Sequence, residues 1–202
     1  PKGKDSWNLV MEYFITLISK RSIESSSLRL YITRVFTDIL KNATEEVSHT
    51  AETEKSSKKF NVLEDFVMCA LMDTMDSMGK LTISGSEIYK GTLNTESEIL
   101  LQILSTLKGI LNEFGEALTH SWLTIFKVIN SPFELLNYDT MSLDEDDSEK
   151  SALTNAVFQK RSEMIQISYD VFKLISDDFL QSLPLEIIRY VIDTLVNFVS
   201  QD

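Results

Sequence analysis

EMIQISYDVFKLISDDF, residues 163–179, decides the fold class. Glu163, Gln166, Asp170, Lys173 and Asp177 step along it by three or four residues, opposite Ile167, Val171, Phe172, Ile175 and Phe179. That spacing lays one polar and one apolar stripe on a helix. Pro184 follows shortly and fits the first turn of a second helix, where its missing N–H costs nothing. In that last helix, residues 184–201, Ile187, Ile188, Val191, Ile192, Leu195, Val196, Phe198 and Val199 cover most of the circumference. Only Glu186, Arg189, Asp193 and Asn197 remain as a narrow polar strip. A helix that caps an array turns a broad polar face to water. The pattern therefore predicts that another helix packs here, and that the sequence is an interior section of a longer solenoid.

The helical period extends through the rest of the chain. Trp7, Val10, Met11 and Phe14 share the spacing of Trp122, Ile125, Phe126 and Ile129, and Ser6-Trp7 matches Ser121-Trp122. Each Ser stands where an N-cap belongs, so the phrase reads as one helix start used twice. Further helices are predicted at about 24–46, 59–78, 95–114 and 153–180. Paired as hairpins over 5–46, 59–114 and 119–180, with the further helix 184–201, they make an all-α, HEAT or armadillo-like array. The two Trp helices lie 115 residues apart, so a unit averages about 57 residues, above the ~40–47 usual for such repeats. Flexible loops at 47–58, 79–94 and 131–151 absorb the surplus.

Composition agrees with helices. The chain of 202 residues has six Gly and three Pro, too few for a turn-rich sheet protein, and is 43% apolar. Its formal charge is −12, with residues 1–101 contributing 12 basic and 15 acidic groups and residues 102–202 contributing 7 and 16. A nucleic-acid partner needs a basic footprint that this balance does not supply, and an anionic membrane surface would repel it. Membrane association is therefore expected to be indirect or peripheral. The longest apolar run, Phe66 to Met72, is far short of the ~20 residues a spanning helix needs. Cys69 is the only cysteine, which excludes an internal disulfide and suits a reducing, cytoplasmic compartment.

The chemical motifs fail one by one. MGKLT (78–82) lacks the leading glycine and the hydroxyl residue after lysine that a phosphate loop needs, and SGSE (84–87) lacks the flanking glycines of a nucleophile elbow. His49 and His120 have no second ligand at metal spacing. Asn42-Ala43-Thr44 is a glycosylation sequon inside a predicted helix and is read as chance. Cys69 is expected as a small buried hydrophobe, Met68, Met72, Met75 and Met78 as helical core packing, and Trp7 and Trp122 as buried anchors. Asp144, Glu145, Asp146, Asp147 and Glu149 do not fit a calcium loop, because Glu149 stands at the glycine position and Asn155 at that of the closing glutamate. They are a candidate docking loop for a basic partner. No cofactor is expected.

GEALTHSWLTIF (115–126) and SYDVFKLISDDFLQSLPLEIIRYVIDTLVNFVSQD (168–202) resemble the helical regions of the large Sec7-type Arf guanine-nucleotide exchange factors of the Golgi. The likeness lies in the Ser-Trp helix start and in Asp178-Phe179-Leu180 followed by Leu183-Pro184, and it is closest to the Sec7-lacking relatives, the Mon-two family. The resemblance implies a non-enzymatic helical-repeat scaffold, since the catalytic glutamate finger of Sec7 domains has no counterpart here. It implies vesicle-mediated traffic at the trans-Golgi network and early endosomes, with Dopey-family proteins, Arf-like small GTPases and a phospholipid flippase as associates. Two alternatives use the same helices: the regulatory region of an active Arf exchange factor, and a HEAT-type nuclear transport receptor that binds Ran.

Overall fold

The computed structural model describes residues 2–19, 26–48, 64–65, 67–76, 88–135 and 148–200, and no strand occurs among them. The helices are α1 (Lys2–Ser19), α2 (Ser26–Ser48), α3 (helical residues 64–65 and 67–76), α4 (Ile88–Phe114), α5 (Trp122–Leu135), α6 (Ser148–Leu174) and α7 (Ile188–Val199). A 3-10 turn, Gly115–Ala117, closes α4. A wider π turn, Ile175–Phe179, closes α6, and a second 3-10 turn, Leu185–Ile187, opens α7.

Helices α2, α4, α5 and α6 bury apolar stripes at helical spacing, whereas Val10 of the stripe expected on α1 is exposed. Phe36 and Leu40 of α2, Ile103, Leu107 and Ile110 of α4, Phe126 and Ile129 of α5, and Met164, Val171 and Ile175 of the α6 segment are buried in one continuous core. Met68 and Met75 join it and Met72 packs at its edge, while Met78 and His49 lie outside the described residues. α4 is the central member, packed along α2 on one side and α6 on the other. α5 packs on α6 and on α7, and α1 on α2. Two rows result, α2–α4–α6 and a second containing α5 and α7, in which each helix meets its neighbours along the array. This is the helical-solenoid arrangement.

Polar pairs fix how the helices slide past one another. Gln102 Nε2 donates to Thr37 Oγ1 between α4 and α2. Asn130 Nδ2 donates to buried Thr194 Oγ1 at 2.7 Å and its carbonyl accepts from Asn197 Nδ2 at 2.8 Å, pinning α5 to α7. Around the same joint Phe198 meets Phe133, Tyr169 and Phe172 at centroid distances of 5.0, 5.5 and 5.6 Å. One α7 side chain thus seats the helix in the groove between α5 and α6.

Lys108 Nζ reaches Asp170 Oδ2 at 2.8 Å between α4 and α6. The hydrogen bond from Lys108, and then that from Gln166, hold the Asp170 carboxyl below its ordinary value. A carboxylate with a lowered folded pKa stabilises the fold above its unfolded pKa and loses that contribution as pH falls through the folded value. Because both groups are over a third exposed, the effect is about 0.2–1 kcal/mol. Asp170→Asn should lower the urea midpoint slightly at pH 7, and the difference should shrink as pH falls through the lowered folded value of Asp170.

Several boundaries differ from the sequence reading. α4 starts at Ile88 instead of 95, because Gly91, Thr92 and Asn94 cost about 1 kcal/mol or less each, less than an established helix gains by extending. α6 starts at Ser148 instead of 153. α5 continues over 131–135 despite Pro132, which leaves the Val128 carbonyl without its usual amide; the Ser131 hydroxyl donates to that oxygen at 2.6 Å. Pro184 stands in extended conformation just before the first turn of the last helix, not inside it, and its carbonyl accepts from the Ile187 amide.

The repeated Ser-Trp phrase is also corrected. Trp122 begins α5, whereas Ser6-Trp7 lies in the second turn of a helix that starts at Lys2. Residues 118–121 before Trp122 leave the helical path, and Lys2–Asp5 before Ser6 do not. Both tryptophans nevertheless pack on the core, Trp122 fully and Trp7 in part.

Candidate functional site

Gly115, Ser121, Trp122 and Phe179, from the segments that carry the family likeness, meet at one joint. At its centre is Glu64 of α3, a charged residue in the apolar register of Val67, Met68 and Leu71. Its buried carboxylate accepts from the backbone amides of Thr119, His120 and Ser121 at 2.8–3.1 Å, and from the Thr119 hydroxyl at 3.3 Å. A helix start leaves amides without intrahelical partners. Here a carboxylate from a helix 55 residues earlier serves the turn that leads into α5, where the dipole also favours negative charge. Ser121 keeps its cap position through its carbonyl, which accepts from the Ile125 amide.

On the other side of the turn, the Phe179 ring lies over Gly115 and 5.8 Å from the Trp122 ring. A methyl group at Gly115 would fall 2.2 Å from Phe179 Cζ, so the close approach of α4 to the end of α6 requires glycine. The Phe179 carbonyl accepts from the Ser182 amide and hydroxyl and from the Leu183 amide, which turns the chain toward Pro184. Gly115, Ser121, Trp122, Phe179, Leu183 and Pro184 are thus a packing joint, not a reactive centre. Gly115→Ala should lower stability by roughly 1–3 kcal/mol. Adding Phe179→Leu should make the double variant's loss smaller than the sum of the two, as read from urea midpoints.

The chemistry candidates fall away from this joint. Cys69 is exposed, not buried. Met68, Ala70, Leu71, Thr74 and Met75 occupy the inner arc of α3, leaving Cys69 outward with Asp65, Asp73 and Asp76. Partial burial first, then the carboxylates of Asp73 and Asp65, push the thiol pKa up, away from the reactive thiolate. Burial and Asp76 likewise raise Asp73. His120 is exposed on the turn, with its backbone amide on Glu64. Among the described residues no group of three His, Cys, Asp or Glu side chains could hold a metal ion, and no helix is long and apolar enough to cross a membrane.

Asp144, Glu145, Asp146 and Asp147 lie outside the described residues, as do MGKLT and SGSE; Glu149 is placed only as part of the α6 backbone. Spacing alone did not single out Glu64 or the buried pair Arg29–Glu96, 2.7 Å apart. Their signal was present: each is a full charge at a position where helical periodicity demands an apolar side chain.

No family model and no solved structure matches the chain. Among curated proteins it is 55% identical over 199 residues to Protein MON2 of Saccharomyces cerevisiae, which covers 98% of this chain and 12% of the yeast protein. The likeness first visible in residues 115–202 therefore runs through nearly the whole sequence, which is similar to one segment of the yeast protein amounting to 12% of its length.

Proposed function

We propose that this chain is a non-enzymatic scaffold segment of a vesicle-trafficking protein, holding protein partners on the cytosolic face of trans-Golgi and early endosomal membranes. The observation that carries the reading is the 55% identity to Protein MON2 over 98% of the chain. The architecture supports it: a helical array offers long surfaces for binding proteins, and the buried carboxylate of Glu64 is taken up by backbone amides. Membrane attachment would be peripheral, through partners. Dopey-family proteins, Arf-like small GTPases and a phospholipid flippase in the same assembly are the proposed associates.

The test is binding of the purified chain to Dopey-family protein, to Arf and Arf-like GTPases loaded with GDP or a non-hydrolysable GTP analogue, and to Ran. Binding to Dopey-family protein, or selectively to a GTP-loaded Arf-type protein, supports the scaffold. Binding to Ran alone would replace this reading with that of a transport receptor.

A further inference from the structure

The face of α7 turned away from α5 and α6 is apolar and uncovered. Ile192, Leu195, Val196 and Val199 are 56, 48, 57 and 69% exposed, and their i, i+3, i+4, i+7 spacing makes one continuous stripe. Leu185 extends it at 88% exposure. Ile187, Val191, Thr194 and Phe198 occupy the inner face, so α7 is apolar on two sides. We infer that the outer stripe is an internal seam, covered by the next helical pair of the same polypeptide and not by a separate protein; this rests on reading the chain as a segment of a longer scaffold.

Three observations choose that occupant. First, α5 shows what a member of this row requires: it is flanked by α6 and by α7. α7 has α5 and α6 on its inner side and no described element on its outer side, so a repetition of the α5–α6 step would place two helices there. Second, the stripe is wholly aliphatic, with Arg189 and Asp193 pairing on another arc. Aliphatic ridges at i, i+3 and i+4 suit packing between permanently joined helices, whereas the hot spots of separable partners favour Trp, Tyr and Arg. Third, the yeast relative is long enough to supply the cover, since this chain matches 12% of it. A matching feature occurs at the opposite end of the array, where Leu9, Val10 and Tyr13 of α1 are exposed on their helix.

The experiment places a photoreactive benzoylphenylalanine at Leu195, and in a second variant at Val196, in the full-length protein, and maps the crosslinks by mass spectrometry. Both positions should yield one dominant intrachain product, joined within about 60 residues after Asp202, one unit at the spacing of this array. The same probe at Glu186, on the exposed polar arc, should give none of that product. Crosslinks to another polypeptide, to a second copy or to lipid, or no crosslink at all, would overturn the seam. Partner binding is read by the separate assay above, so the scaffold reading and the seam can fail independently.

Discussion

Glu96→Ala is expected to destabilise the chain by about 3–5 kcal/mol, which would remove most of the stability of an ordinary domain. Arg29 is 2% and Glu96 0% exposed, and their 2.7 Å contact joins α2 to α4 inside the core. Arg29 Nε also donates to the Ile18 carbonyl, in the last turn of α1, where helix carbonyls have no amide of their own. One guanidinium therefore ties three helices. Deleting the carboxylate leaves that cation buried without its counter-charge, which costs more than the pair contributes net. The comparison that separates these two quantities is Arg29→Met with Glu96→Leu together. Apolar side chains of similar volume remove both desolvated charges, so the double variant should recover a large part of the loss in a urea titration. Equal losses in the single and double variants would mean that the contacts of Arg29 to α1, not the ion pair, dominate.

The same pair shows where the sequence is readable. Helical periodicity reports which arc of a helix is buried, because burial follows the average hydrophobicity of that arc. It located the helices and the two-faced character of α7. It did not place ends that depend on a single hydroxyl, such as Ser131 serving the carbonyl left open by Pro132. Nor could it distinguish Ser6 from Ser121, since the difference is the carboxylate of Glu64, far away in sequence. Family likeness was legible at Gly115, Ser121, Trp122, Phe179 and Pro184 without its cause being legible. Only the fold shows that these positions meet, and that Gly115 is small because a phenyl ring lies on it. Cys69 was misplaced for a related reason: FVMCALM is apolar throughout, so composition could not tell the inner arc from the outer one.

Glu64→Ala should cost about 3–4 kcal/mol, since hydrogen bonds to a buried charge contribute about 1.5–3 kcal/mol each but add poorly when they share one acceptor. Three amides and a hydroxyl lose their partner at once, at a turn that has no helical bonds to fall back on. Glu64→Gln provides a graded test. One amide oxygen can still accept from His120 and Ser121, but an NH2 group then replaces the oxygen that accepts from the Thr119 hydroxyl and shares the Thr119 amide, so the loss should be intermediate. Glu64→Asp keeps the charge and shortens the reach by one methylene group, and should resemble alanine if geometry rules, or glutamine if charge does. Hydrogen exchange makes the effect local: the amides of residues 119–121 should lose protection before those of α4, because α4 is held independently by α2 and α6. Uniform loss along the chain would instead mean that the joint is a keystone of the whole array. In that case Gly115→Ala, which strains the same joint from the Phe179 side, should produce the same uniform pattern.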